Sequence, residues 1–297
     1  MAASRLRLLR PARRAGRGAG AALAALAGCA AAVALAGPAS ATSHPGDRYN
    51  VGATHSPQLL AELAGPPPAA RPASDTPAQR AFRLGVDVAA FQHPNGAAIN
   101  WREVAQSGIS FAAVKTTEGT YYRNPYALSD LAAARAAGLS VGAYTFAIPN
   151  GNGGRSSPVA QADYLLAYLG PLAATVPVML DVEFNPYSGG LCYGLRGSRM
   201  VSWVARFSAE VQARTGRMPY IYTPQGWWNP CTGGSATLHR DPLWVPNYTT
   251  ASSPAMPFGW TTWQIWQYSS SGTVPGIQDP EFTDLDRLQR GITSLGG

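Results

Sequence analysis

Residues 176–184 read VPVMLDVEF, an apolar run of strand character that ends in two acids, Asp181 and Glu183. Successive side chains of a strand point to opposite faces, so residues two apart share one face, here about 6.8 Å apart along the chain. Asp181 and Glu183 therefore face the same space. An ionised carboxylate buried without a partner costs several kcal/mol, so a strand that carries two of them either pairs them or uses them. The plainer alternative is a strand end that emerges into solvent, with the acids as a hydrophilic stop. The rest of the chain decides between the two.

Outward from that strand, short apolar segments alternate with amphipathic ones from Leu84 onward. Strands are predicted at 84–88, 111–116, 140–146, 177–184, 218–223, 242–247, 262–268 and 282–285, and helices at 101–107, 127–137, 158–169 and 197–215. Such alternation implies βαβ units around a parallel sheet. The fold class expected is α/β, an irregular (β/α) barrel of the TIM type with about eight strands and reduced C-terminal helices. An open doubly wound sheet is the rival. Barrels carry their sites at the C-terminal ends of the strands, and polar groups recur there. Asp87 closes the first strand, Lys115-Thr116-Thr117-Glu118-Gly119 the second, Tyr144 sits in the third, and Asp181 and Glu183 close the fourth. A closed barrel gathers these groups at one mouth, where like charges raise one another's pKa and separate acid from base.

With 297 residues and 46% hydrophobic content, the chain has room for one large domain or two small ones, and only 13% of it is charged. A net charge of +7 and a pI near 9.5 suggest nucleic acid until the charge is located. Six arginines (Arg5, Arg7, Arg10, Arg13, Arg14, Arg17) precede the first acid, Asp47. Without them the net charge falls to +1, and nucleic acid is not expected as a partner. The arginine-rich start leads into an Ala/Leu/Val/Gly run over 18–37 and then Ala39-Ser40-Ala41, so residues 1–41 are read as a secretory signal peptide. A transmembrane anchor is one rival, weakened by the alanine and glycine content. A lipobox at Leu26-Ala27-Gly28-Cys29 is another, with Cys29 acylated; apolarity continuing past Cys29 favours cleavage at Ala41. Residues 42–80, rich in Pro, Ala and Ser, read as a linker or disordered arm, and 81–297 as the barrel.

In an oxidising compartment the two remaining cysteines, Cys192 and Cys231, pair by default. His93 and His239 stand alone and read as surface or loop residues. No spacing of His, Cys and acids suggests a metal site, and no glycine-rich phosphate loop lies between strand and helix, so neither metal nor cofactor is expected.

These residues resemble a known family, the Chalaropsis-type lysozymes of glycoside hydrolase family 25. The likeness is carried by Gly85-Val86-Asp87-Val88, Trp101, the run from Phe111 to Thr120, Ala136-Ala137-Gly138, Tyr144, Gln161-Ala162 and Asp181-Val182-Glu183. It continues through Thr215-Gly216, Ile221-Tyr222-Thr223, Pro242-Leu243-Trp244, Trp266-Gln267-Tyr268 and Val274-Pro275-Gly276-Ile277. The resemblance implies an N-acetylmuramidase that cuts the β-1,4 bond between N-acetylmuramic acid and N-acetylglucosamine in bacterial peptidoglycan. With the signal peptide the chain is expected to be secreted, and a monomer is expected because the fold gathers its site within one chain. It implies Glu183 as general acid, Asp181 as its partner at the reacting sugar, Asp87 as the first-strand acid and Asp284 as the C-terminal acid, with Asp286 a rival for that last position. Glu118, Tyr144, Tyr222, Trp244 and Gln267 are the substrate contacts it suggests. Tyr144, Tyr222, Trp244, Trp266 and Tyr268 are candidate cleft walls, although core packing accounts for about half of such rings.

Two departures stand out. Phe91 precedes Gln92 where the family commonly has Trp, and Asn247 replaces a small residue before Tyr248. Retention assisted by the substrate's acetamido group is the preferred mechanism; inversion through a water activated by Asp87 or Asp284 is the alternative. Outside the muramidase reading stand a silent glycan-binding barrel and a glycosidase of other specificity. A chitinase pattern is disfavoured because only the final D-x-E is present. On reduction, the intact mass of the secreted chain should rise by two hydrogens, reporting the Cys192–Cys231 bond; an unchanged mass would mean two free thiols.

Overall fold

The protein is described here by a computed structural model that covers residues 82–297 apart from 188, 279–282, 290, 293–294 and 296–297. Residues 1–41, read as a signal peptide, Cys29 among them, and residues 42–80, read as a linker or arm, lie outside the described residues, as does Phe282 at the start of the last predicted strand. Among the described residues nine strands form: β1 Arg83–Val88, β2 Ile109–Glu118, β3 Tyr122–Arg123, β4 Ser140–Phe146, β5 Val178–Asp181, β6 Tyr220–Tyr222, β7 Leu243–Pro246, β8 Ile265–Gly272 and β9 Thr283–Leu288. The helices are α1 Trp101–Gln106, α2 Ala127–Ala136, α3 Pro158–Leu169, α4 Ser198–Thr215 and α5 Gln225–Thr232.

Eight of the strands close into a barrel in the order β1-β2-β4-β5-β6-β7-β8-β9, with β9 returning to β1; β3 is a short antiparallel addition to β2. The pairs from β1 to β8 are parallel, whereas β9 is antiparallel to both β8 and β1. An all-parallel sheet is therefore corrected at its last strand. A parallel link needs a crossover of a dozen or more residues, and 273–282 is too short for one, so the chain turns back as a hairpin.

Strand alternation builds two cores. Outward residues such as Val86, Val114, Val141, Leu180, Ile221 and Val245 pack under the helices. Inward residues Phe111, Met179, Tyr220, Ile265 and Leu288 fill the barrel floor. Gly85 and Gly142 make room for that floor, because a Cβ at these positions would fall 2.2 Å from the Phe111 ring and 2.4 Å from Met179 Cε. Helix α4 buries Met200, Trp203, Val204, Phe207 and Val211, the three-and-four spacing of an amphipathic helix, and stops at Gly216 in the left-handed conformation. Helix α5 was not expected, since Pro230 interrupts its pattern. Its buried Trp227, Trp228 and Cys231 hold it, and Cys231 forms the disulfide with Cys192 in the loop after β5.

His93 is not a surface residue. It is buried, and its Nε2 lies 2.8 Å from Asp130 Oδ2 while Trp101 Nε1 donates to Asp130 Oδ1 at 3.0 Å. Asp130 sits on α2, so this network ties the turn after β1 and the start of α1 to the second helix, a contact that single-residue reading of a histidine does not reveal. His239 is exposed. Asp130→Ala leaves two buried donors unpaired and should lower stability by about 2–4 kcal/mol, read from urea unfolding.

Candidate active site

The alternation that lays an apolar floor places a polar layer above it. Along β1 the inward positions are Gly85 then Asp87; along β5, Met179 then Asp181; along β6, Tyr220 then Tyr222; along β8, Ile265 then Gln267. Together they open on a cavity of about 270 Å³ at the C-terminal ends of the parallel strands. Its lining includes Asp87, Asp181, Glu183 and Asp284, together with Glu118, Tyr144, Tyr222, Trp244 and Gln267. Glu183 lies just past the end of β5. The Val182 amide donates to the Tyr222 carbonyl at 3.0 Å, which extends the strand geometry and keeps Glu183 on the same face as Asp181.

Asp284 arrives from the other side of the seam. In the antiparallel β1–β9 pair Asp87 is opposite Asp284, and Gly85 opposite Asp286. Asp286 is fully buried and accepts from Trp244 Nε1 at 2.8 Å. Asp284 lines the cavity and Asp286 lies deeper. Asp87 exchanges side-chain hydrogen bonds with both and accepts from Gln267 Nε2 at 2.8 Å. Gln267 is held in turn by Tyr222 at 3.0 Å and Tyr248 at 2.7 Å, both donating to its Oε1.

Lys115 supplies the one amino group of the cavity lining. It donates to Glu118 Oε2 at 2.8 Å, and Glu118 Oε1 accepts from Tyr121 at 2.6 Å and also from Tyr187. Residues 115 and 118 of a regular strand would face opposite sides. A register shift between Lys115 and Thr117 against β4 turns both inward. Nothing in the sequence announces that bulge, so Lys115, Tyr121 and Tyr187 were missed as site residues, although Lys115 stands in the run that marks the second strand.

The aromatic candidates separate by parity. Tyr144, Tyr222 and Trp244 face the cavity and pack edge to face, with ring centroids 5.9 Å apart for Tyr144–Trp244 and 4.8 Å for Tyr222–Trp244. Trp266 and Tyr268 do not line it. They flank the inward Gln267 and so point outward, where Arg287 stacks over both rings. Phe91 lines the cavity and is partly exposed. Asn247 accepts from the Ala255 amide through its side chain, and its backbone amide donates to the Gln267 carbonyl.

Crowding so many carboxyls in a partly dry space drives their proton affinities apart. Burial, then the Asp87 charge, lifts Glu183 to about 7 against the opposing pull of Lys115. Burial raises Asp87 to about 6, restrained by its hydrogen bonds from Gln267 and the neighbouring acids. Asp284 rises to about 9 through burial and the Asp87 charge. Asp181 and Asp286 are pushed well above the carboxylate range, first by burial and then by Glu183 and Asp87 respectively. Glu118 goes the other way. Burial would raise it, but Lys115 and its hydrogen bonds outweigh that and hold it low.

Carboxyls of separated proton affinity, aromatic walls and a cavity at a barrel mouth have the make-up of a glycoside hydrolase. Comparison with known proteins agrees: the family described as Glycosyl hydrolases family 25 matches residues 86–277, and this chain belongs to it. Lysozyme M1 of Streptomyces globisporus is 39% identical over 266 residues, covering 88% of this chain and 84% of that protein. The N,O-diacetylmuramidase of a Chalaropsis species is 34% identical over 69% of this chain and 97% of its own length. Among solved structures, a lysozyme from Streptomyces coelicolor superposes with a TM-score of 0.63 at 39% identity, covering 70% of this chain and 92% of that one. A family 25 lysozyme from Aspergillus fumigatus gives 0.62 at 34%, covering 71% and 96%.

The raised acids make the site a local burden on stability. A carboxyl whose pKa is higher in the folded state contributes stability that is full below its unfolded pKa near 4 and is lost as pH rises through the folded value, here about 6 for Asp87 and about 9 for Asp284. Glu118 acts with the opposite sign and loses its contribution as pH falls. Asp284→Asn should therefore raise the melting temperature by about 2–4 °C at pH 8 and by less at pH 4; an equal gain at both would contradict the linkage.

Proposed function

We propose that the protein is a secreted N-acetylmuramidase that hydrolyses the β-1,4 bond between N-acetylmuramic acid and N-acetylglucosamine in peptidoglycan, with Glu183 as general acid. The observation that carries this reading is Glu183 itself. It is open to the cavity, two residues from Asp181, and lifted to about 7, so a large fraction remains protonated near neutrality. Protonating the leaving oxygen requires that proton, and general acid catalysis of this kind contributes about 10²–10⁴-fold to rate. The lysozyme and muramidase relatives support the choice of bond.

The sugar that loses its leaving group develops oxocarbenium character, which the surrounding carboxyls stabilise. Retention assisted by the 2-acetamido group is the mechanism favoured. Asp284, at about 9, holds its proton at neutral pH and is a poor base for activating water, which counts against inversion through that residue. Asp181 is buried in the site, and among the described residues no group donates a hydrogen bond to its Oδ1. It is therefore placed to receive one from an acetamido N–H and so orient that group. Asp87, fixed by Gln267, supplies negative charge near the reacting sugar. Tyr144, Tyr222 and Trp244 form sugar-facing walls, and Glu118, held by Lys115, Tyr121 and Tyr187, presents a fixed acceptor at the cavity edge. No helix among the described residues is long and apolar enough to cross a membrane.

Glu183→Gln keeps the size and removes the proton, so kcat on purified peptidoglycan should fall about 10²–10⁴-fold. Because the acid must be protonated, kcat/KM of the unaltered chain should decline as pH rises through about 7. Borohydride reduction of the released fragments followed by mass spectrometry identifies the bond: reduced muramic acid ends support this reading, and reduced glucosamine ends would replace it with a glucosaminidase.

A further inference from the structure

A second cavity, of about 470 Å³, lies between the loop that follows β4 and the first half of α4, on the same end of the barrel as the catalytic mouth. Asn150 and Ser157 form one wall, and Arg199, Ser202, Trp203 and Arg206 the other. Trp203 Nε1 donates to the Ser156 carbonyl at 3.2 Å and joins the two walls. Residues 199 and 206 share a helix face, about 10.5 Å apart along the axis.

The charge of this groove is one-sided. Both guanidiniums are exposed, and among the described residues neither forms an ion pair. The groove's lining contains no Asp or Glu. Its walls add Arg155 and Arg196, and of the acids that flank them in the chain, Asp163 and Glu210 both pair with Arg214 while Glu183 belongs to the catalytic mouth. Arg199 stands in the first turn of α4, where the helix already presents its positive end and carries no acid. Like charges without a counter-charge repel one another, and a bound anion relieves that repulsion. The neighbouring catalytic mouth has the opposite balance, with many carboxyls and a single lysine.

The two cavities are close. Phe146 lines the first and Asn150 the second, so four residues of chain, at most about 14 Å, separate their edges. Thr120, two residues past Glu118, also donates through its hydroxyl to the Arg155 carbonyl at 3.1 Å. We propose that the groove binds the carboxylates of the peptide stem attached to a muramic acid residue beside the bond that is cut. This rests on the muramidase reading. A four-residue stem reaches about 14 Å when extended, enough to pass from one cavity to the next. Its side-chain and terminal carboxylates suit guanidinium forks, which take such groups in bidentate pairs. The groove is short and walled by Trp203, and its two lining arginines match separate carboxylates on a peptide better than the long phosphate row of a phosphodiester polymer.

The test compares the full chain with its Arg199→Ala/Arg206→Ala variant on peptidoglycan stripped of phosphodiester polymers, and on the same glycan after an amidase has removed the stems. The KM ratio of stem-bearing to stem-free substrate should be roughly tenfold higher in the variant. The stem tetrapeptide released by the amidase, titrated by calorimetry, should bind the unaltered chain in a salt-sensitive way and the variant roughly tenfold more weakly. Equal KM ratios together with equal tetrapeptide binding would overturn the proposal. A defect that appears only on walls retaining phosphodiester polymers would assign the groove to those polymers instead. If the unaltered chain releases no muramic acid ends from either substrate, the muramidase reading fails, and the tetrapeptide titration still decides the groove.

Discussion

The antiparallel seam at β9 is the constraint on which the rest of the molecule depends. Seven parallel strands leave β1 and β8 as edges with unpaired backbone groups, and β9 satisfies both at once. Closure also sets the register that puts Asp284 opposite Asp87 and Asp286 opposite Gly85. A slip of one residue would exchange the inward and outward faces of β9, sending Leu285 and Arg287 into the barrel and its acids to the outer face. The same seam therefore removes the sheet edges and completes the carboxyl cluster.

That cluster works against folding, and the barrel is built to tolerate it. Its acids other than Glu118 are raised by burial and by each other, with Lys115 as the one cation in the lining. The opposing resources are apolar and lie directly beneath, where Phe111, Met179, Ile265 and Leu288 fill the floor. Polar support is local. Gln267 holds Asp87, Trp244 holds Asp286, and three donors hold Glu118. The result is a graded set of proton affinities, with Glu118 kept ionised, Asp87 and Glu183 near neutrality, and Asp284 protonated. One barrel mouth thus offers both a proton donor and fixed negative charge.

Charge is also separated between neighbouring parts of the same end. Acids, Glu183 included, occupy the mouth, while the loop after β4 and residues 184–197 beyond Glu183 carry arginine without any acid. A substrate whose glycan is neutral and whose side branches are anionic meets a surface of matching pattern. Field complementarity of that kind sets orientation more than affinity.

What the sequence determined by itself were features of short range. Period-two alternation predicted that Asp181 and Glu183 face one space, a pattern the Val182–Tyr222 hydrogen bond carries past the end of β5, and the bounds 140–146 and 158–169 coincide with β4 and α3. Parity likewise made Gln267 and Trp266 face opposite ways, although it did not say which way was in. The tertiary structure decided that, along with everything that depends on elements far apart in the chain. Antiparallel closure set Asp284 beside Asp87 across nearly 200 residues, and a bulge aligned Lys115 with Glu118. Helix α5 formed around Pro230 because its tryptophans and Cys231 had a place to be buried, and His93 met Asp130 in the interior. Periodicity is written into neighbouring residues, but register, bulges and proton affinities arise only when separate elements share one low-dielectric space.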